Sequence, residues 1–451
     1  MHPKIRTLPA LMAAALAAGG LAHSGAAFAA ESAAGANELE SLRAEVRALK
    51  ERLDSLASNA AAAAPAAHNT AAQAPVAAAP QNAPTAGALH SNVGGMDITL
   101  GGYVQLNAIR DTGPNVAAAG DRDFFFVPDI SLPGSATYGQ KGKTFLSART
   151  SRLFVSASKP SDYGPIKAHI EGDFFTSDGG ESQANSAHFR LRHAYGAVGN
   201  WMFGQYWSTF IDTSSMPDVM DFGGPTGQVF VRQPQVRYTK QFDHGQSLAL
   251  ALENSNNDSV ANAHTSLPDF VARYQLTGAW GHVSLAGVLR RISSDDGFGG
   301  KVNRTATGLS LAGSFNLWKG DSLAYQINGG RGIGRYMSDA GGETAVLAGS
   351  HILFQPAYGA YVSYQHQWWD SPLRSALVLG RTWFDNNALR QDANYAAAAT
   401  NRRLSTIHAN LIWTPVKGTD VGLEYIYGKR EVDSGRSGVA HRVLLGVITS
   451  F

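Results

Sequence analysis

Cysteine is missing from all 451 residues, which excludes a disulfide framework and thiolate metal sites. Beyond Ala29 nothing approaches the run of about 18 apolar residues that a spanning helix needs. A strong charge of one sign is missing as well. The formal balance is +2, and Lys4 and Arg6 fall in a leader, so the rest is near neutral and no nucleic-acid partner is expected. Signatures of hydrolysis are equally absent: there is no Gly-x-Ser-x-Gly elbow and no His-Glu-x-x-His helix. Gly330-Arg331-Gly332-Ile333-Gly334 has the look of a nucleotide loop, but no helix follows it, and it reads as a glycine-softened strand. The 14 His are scattered. His188 and His193, at even and odd positions, are expected on opposite faces of one strand. No metal site, no cofactor and no enzyme activity are therefore expected.

What is present falls into four segments. Residues 1–29 read as a signal peptide, with a basic start, an Ala/Leu run from Leu8 to Ala22 and small residues at Ala27-Phe28-Ala29 before the cleavage point; a short membrane anchor is the alternative. Residues 30–58 carry a coiled coil. Its seam is Leu39, Leu42, Val46, Leu49, Leu53 and Leu56, spaced by threes and fours, with Glu45, Arg47, Glu51, Arg52 and Asp54 on the polar positions. An isolated amphipathic helix is the bland reading of the same pattern. So short a coil is marginal alone and is expected to act beside a larger oligomer interface. Residues 59–95 form an Ala/Pro-rich linker, broken by Pro65, Pro75, Pro80 and Pro84.

From residue 96 to 451 the pattern has period two. Ile98, Leu100, Val104 and Leu106 alternate with Thr99, Tyr103, Gln105 and Asn107; Ile407, Ala409, Leu411 and Trp413 alternate with Thr406, His408 and Asn410. Runs of about ten such residues with aromatic ends point to an all-β transmembrane antiparallel barrel. A soluble sandwich also alternates, but it would not set Lys167, Glu171 and Asp173 opposite so clean an apolar stripe. Short turns (Gly199-Asn200, Asp243 to Gln246) alternate with long loops (Asp111 to Lys143, Ser208 to Gln228, Met337 to Pro356), as periplasmic turns and external loops do. Counting the runs gives about sixteen strands. The last run ends at Phe451, which resembles the sorting terminus read by barrel-assembly machinery.

Extending the alternation puts Lys167, Arg190, Arg192, Arg237, Arg273 and Arg290 on the wet face, joined by Arg149 or Arg152. A cation facing lipid near midplane would cost roughly 2–4 kcal/mol. Clustered guanidinium groups in a narrow channel concentrate anions and can grip a carboxylate with two hydrogen bonds. Each Arg can equally pair with an acid such as Glu171, Asp173, Asp212 or Asp221 and only shape the field. The residues leave both readings open.

The loop Ser208 to Gln228 is the third long one. In it Asp221-Phe222-Gly223-Gly224 resembles the acidic residue and Phe-Gly-Gly of the inward-folded loop in sixteen-stranded porins. Asp212, Asp218, Asp221, Phe222, Gly223 and Gly224 are its candidate constriction residues. The whole chain more closely resembles the DcaP-like family of trimeric outer-membrane porins. The resemblance rests on the coil and spacer, Ala148-Arg-Thr-Ser-Arg-Leu153, Ile170-Glu-Gly-Asp-Phe-Phe175, Phe189-Arg-Leu-Arg-His-Ala-Tyr195, Gly204-Gln-Tyr-Trp207 and Val231-Arg-Gln-Pro-Gln-Val-Arg-Tyr238. It implies a homotrimer in the outer membrane with its coil in the periplasm, passing small anionic, dicarboxylate-like solutes. The partners it brings are copies of itself, outer-membrane lipid and lipopolysaccharide. A structural or adhesive trimer, with the barrel as anchor, is the alternative.

Overall fold

The computed structural model describes residues 88–451 except 113–122, 140–141, 177–184, 186, 256–259, 261–262, 265–266, 296–299 and 341–343. The leader, the coiled-coil seam from Leu39 to Leu56 and most of the linker lie outside the described residues.

An open sheet leaves a row of unpaired backbone groups at each edge, which lipid cannot satisfy. Here the sheet curls and closes on itself. Sixteen antiparallel strands form the wall: β1 Met96–Thr112, β2 Arg152–Lys159, β3 Ile166–Asp173, β4 Arg190–Val198, β5 Trp201–Trp207, β6 Arg232–Gln241, β7 Gln246–Glu253, β8 Asp269–Gly278, β9 Gly281–Asp295, β10 Lys301–Asn316, β11 Ser322–Arg331, β12 Ala357–Gln367, β13 Leu373–Phe384, β14 Asn401–Val416, β15 Thr419–Val432 and β16 Ser437–Ser450. Each pairs with the next in sequence. The ring closes where Tyr103–Thr112 of β1 pairs with His441–Ser450 of β16, and Phe451 continues it by exchanging backbone hydrogen bonds with Gly102 at 3.1 Å. Three short strands extend the wall: Leu89–Val93 and Thr144–Ser147 beside β1, and Ala263–His264 beside β9.

Burial alternates as the pattern requires. In β16 Leu445 and Val447 are exposed while Leu444, Gly446 and Ile448 are covered. The outer surface carries Leu285, Leu289, Leu309, Leu311, Leu377 and Leu379, the apolar band of a barrel in lipid. The inner face is polar: Gln233, Gln235, Gln326, Asn328, Thr382, Thr406 and Asn410 are buried there.

No α-helix occurs among the described residues. The glycine run expected inside a strand is divided: β11 ends at Arg331, and Gly332 (φ +66°) opens the loop that continues into a 3-10 turn at Gly334–Tyr336. The positive φ gives glycine that position, since other residues reach it only with strain.

Candidate functional site

The third long loop, 208–231, is buried over much of its length. Its contacts define its course. At its start, Ser208 Oγ and Thr209 N donate to the Glu253 carboxylate at 2.6 Å each, and Arg273 donates to the Ile211 carbonyl. A 3-10 turn, Thr213–Ser215, follows. Asp212 caps it by accepting from Ser214 N at 3.1 Å, and its other oxygen lies 2.6 Å from His282 Nε2. The Tyr361 hydroxyl donates to the Ser215 carbonyl at 2.9 Å. Arg374 Nε donates to Asp218 at 2.6 Å, Asn410 donates to the Asp218 carbonyl at 2.7 Å, and Met220 N donates to Glu424. On the return, Thr226 N donates to Thr406 Oγ1 at 3.0 Å, and Val229 N donates to Gln326 Oε1 at 2.7 Å. These partners are inward-facing residues of β7, β8, β9, β11, β12, β13, β14 and β15. The loop therefore lies across the interior of the barrel.

Two glycines of the wall make this seat possible. A Cβ on Gly380 would stand 2.5 Å from the Thr226 carbonyl oxygen, and one on Gly359 would stand 2.5 Å from the Gly227 oxygen. Any larger residue would force loop and wall apart.

The wall opposite this seat is basic. Arg152 of β2 stands 3.5 Å from Glu171. Arg192 bridges Glu171 at 2.6 Å and Asp173 at 2.8 Å, and Arg190 grips Asp173 with two hydrogen bonds of 2.9 and 2.7 Å. Strict alternation would turn His193 toward lipid. A bulge where β4 pairs with β3, between Glu171 and Gly172, inserts one extra residue, so Arg192 and His193 both end up buried and close to Glu171. The expected opposition of His188 and His193 fails for a second reason: His188 lies before β4 begins.

Arg232, the first residue of β6, completes the set and was not anticipated. Alternation from Arg237 assigns it to the outer face. At the rim, however, its guanidinium stacks 3.4 Å from the Trp207 ring centroid, and its Nε and Nη2 are buried without a hydrogen-bond partner. Arg152 Nε makes no hydrogen bond either, only its 3.5 Å ion pair with Glu171. Arg152, Arg192 and Arg232 face Met220, Asp221, Phe222 and Gly224 of the loop across a cavity of about 110 Å³.

The remaining sequence candidates are placed as follows. Arg237 donates to Gln235 and the Trp207 carbonyl. Arg290 donates to Asp269 at 2.8 Å and the Gly332 carbonyl at 2.6 Å. Lys167 lies on the inner face opposite Ser158, near the turn end. Arg149 lies in the break between Thr144–Ser147 and β2, beside a separate cavity lined by Leu106, Phe145 and Phe174. Phe222 stacks on Phe175 at 4.3 Å, with Phe124 beside Phe175 at 5.6 Å and the Arg190 guanidinium 4.8 Å over Phe175. Gly223 N donates to Asp221, and Gly224 has φ +67°. The cations Arg374 and Arg442 were also missed: Arg442 is buried and holds Asp111 at 2.7 Å, 4.0 Å from Asp221. Burial pushes the Asp218 carboxyl up despite Arg374, and pushes the Asp221 carboxyl up to about 6 against the pull of Arg442. No group of three or more metal-ligating side chains occurs among the described residues.

A closed sixteen-stranded barrel with an apolar exterior, a polar interior and a loop across it defines an outer-membrane porin. Residues 129–449 match the profile of the DcaP outer membrane protein family, and the chain belongs to that family, a channel rather than an enzyme. Its fold matches the crystal structure of the outer membrane channel DcaP of Acinetobacter baumannii with a TM-score of 0.68 at 26% identity, over 79% of this chain and 98% of that one. The anion-selective porin from Comamonas acidovorans matches at TM-score 0.51 and 12% identity, over 79% and 100%. The in-vitro folded trimer form of OmpT from Vibrio cholerae matches at 0.50 and 11%, over 79% and 99%. No curated protein matches.

Proposed function

We propose that the chain forms a homotrimeric, water-filled channel for passive diffusion of small polar anions of the dicarboxylate kind, with the third loop as its constriction. The observation that carries this reading is the cavity of about 110 Å³ between that loop and Arg152, Arg192 and Arg232. Arg192 is held by Glu171 and Asp173, so it orients the site. Arg232 has two guanidinium nitrogens with no hydrogen-bond partner, and Arg152 Nε has only its 3.5 Å ion pair with Glu171; a buried donor without a hydrogen bond is costly until something accepts from it. A passing carboxylate is such an acceptor, and the low-dielectric walls strengthen its attraction. Residues 1–29 act as the cleaved leader, and the coil and linker stand in the periplasm beside the trimer.

The test is a reversal potential across a planar bilayer in a salt gradient. The wild-type channel should favour anions, and Arg152→Gln/Arg232→Gln should move the potential toward cations with strand content unchanged. An unchanged potential would remove this pair as the filter and leave Asp212, Asp218 and Asp221 as the determinants.

A further inference from the structure

The third long loop divides the interior into two spaces of different chemistry. Met216 and Pro217 line both. On one side lies the cavity of about 110 Å³ beside Arg152, Arg192 and Arg232, and on the other a chamber of about 430 Å³. The wall of the chamber comes from β10 to β15 near the short turns: Asn316 ends β10, Ser322 opens β11, and Thr414 and Asp420 flank the turn between β14 and β15. Its charges are paired with one another. Arg374 donates through Nε to Asp218 at 2.6 Å, through Nη2 to Asp420 at 2.7 Å and through Nη1 to Thr414 at 3.0 Å. All three guanidinium nitrogens are thus engaged.

What remains open in the chamber is neutral. Strands β10, β11 and β12 set short polar side chains side by side on the inner face. Asn316, Ser322 and Gln365 form one rung, and Ser314, Ala324 and Ser363 form the next. Neighbouring strands lie about 5 Å apart, and alternate residues stand about 7 Å apart along a strand, so the panel is a grid of hydroxyl and amide groups. Two of its members are held by the wall: Ser314 Oγ lies 3.0 Å from His282 Nδ1, and Asn316 donates to the Ala279 carbonyl at 3.0 Å. The side chains of Ser322, Ser363 and Gln365 make no hydrogen bond to the described residues, although Ser363 is only 3% exposed. Asp218 lines the same chamber and keeps its Oδ1 buried without a hydrogen-bond partner.

We propose that this chamber is a second binding site, for small neutral polyhydroxylated solutes of the six-carbon polyol kind. A hydroxyl both donates and accepts. It can donate to Asp218 Oδ1 or to the Gln365 amide oxygen, and accept from Gln365 Nε2 or from the two free serine hydroxyls. A charged solute finds no counterpart: Asp218 and Asp420 disfavour an anion, and Arg374 disfavours a cation. An extended polyol spans both rungs, reaching Ser322 and Ser363 with hydroxyls on different carbons, while Met216 and Pro217 give its C–H groups an apolar floor. A buried acceptor without a partner is costly until a donor reaches it, and a polyol supplies the donor without bringing a charge. The site goes beyond the anion preference proposed above and does not depend on it.

The test is single-channel recording of the full-length protein in a planar bilayer, with mannitol or with a glyme of similar size that carries no hydroxyl. Each trace is scaled to the conductivity of its own bath. Mannitol should add current interruptions that saturate with concentration, and the glyme should add none. Ser322→Ala/Ser363→Ala should weaken the mannitol block about tenfold, the effect expected for two neutral hydrogen bonds. Ser322→Thr/Ser363→Thr, which keeps both hydroxyls, should retain most of the block. The reversal potential in a salt gradient should be the same in all three proteins, which separates loss of the site from misfolding. A channel without anion preference that still shows the saturable block would remove the anion filter and keep this site. A mannitol response no greater than that of the glyme, or one equal in wild type and the Ala pair, would overturn it.

Discussion

At the residue scale, the basic wall contains two kinds of arginine. Arg190 and Arg192 are locked to Glu171 and Asp173, whereas Arg232 keeps two nitrogens without a hydrogen bond and Arg152 Nε holds only the looser 3.5 Å pair with Glu171. Arg192→Gln should therefore act mainly on folding. It leaves Asp173 with Arg190 and Glu171 with Arg152 as their remaining arginines, so it should cost less than the about 3–5 kcal/mol of a buried pair that loses its sole partner, and thermal unfolding in detergent should show the loss. Arg232→Gln leaves no acid behind, so it should lower the anion-to-cation permeability ratio with little change in unfolding temperature. Asp221 adds a pH dependence. Its carboxyl is pushed up to about 6 by burial, so the folded loop holds its proton where the unfolded chain has lost it. Stability should therefore rise as pH falls from about 7 to about 4, by at most about 3 kcal/mol. Over the upper part of that window the loop loses a negative charge, and anion selectivity should increase. Arg442, His408 and Glu424 face the same carboxyl, so the decisive measurement is Asp221→Asn: its reversal potential should stay flat between pH 5 and 7 where wild type drifts.

At the element scale, the strands were legible because period two is a local property; the exceptions are all cooperative. The bulge in β4 cannot be seen in Phe189-Arg-Leu-Arg-His-Ala-Tyr195, since an extra residue is defined only against its partner strand. It decides nonetheless that His193 joins the interior. Arg232 was misplaced for a related reason: alternation holds along a strand but relaxes at its rim, where Trp207 and Phe230 fold inward and carry the arginine with them. The loop Ser208 to Gln228 could be recognised by order and by Asp221-Phe222-Gly223-Gly224, but its seat on the wall could not. That seat is written in single glycines of distant strands. Gly380→Val should test it. The new side chain meets Thr226 and Pro225 and pushes the loop off β13 toward Arg152 and Arg232. Single-channel conductance should fall, and unfolding should be easier by about 1–3 kcal/mol, the usual cost of overpacking. Unchanged conductance would mean that the loop gives way elsewhere.

At the scale of the whole molecule, the barrel was legible from the alternation of short turns with long loops, because an even-stranded ring puts all its turns at one end and all its loops at the other. The coil seam from Leu39 to Leu56 and the linker were equally visible as patterns, and they lie outside the described residues. Their weight in the proposed trimer can still be argued. Each of the sixteen strands has two barrel neighbours, and the closing pair of β1 with β16 needs nothing before Tyr103. The short strand Leu89–Val93 only prolongs the wall at the end of β1. The wall of each copy is thus complete without residues 31–87, and the proposed coil, about five turns from Leu39 to Leu56, would add little to a trimer interface made by barrel walls. Deleting residues 31–87 should leave reversal potential and conductance unchanged and keep trimers in mild detergent, with the trimer dissociating at only a slightly lower temperature. Chemical cross-linking followed by heating in steps would measure it. Monomers at room temperature would reverse the order of the two interfaces, making the coil the primary trimer contact and the barrel its passenger.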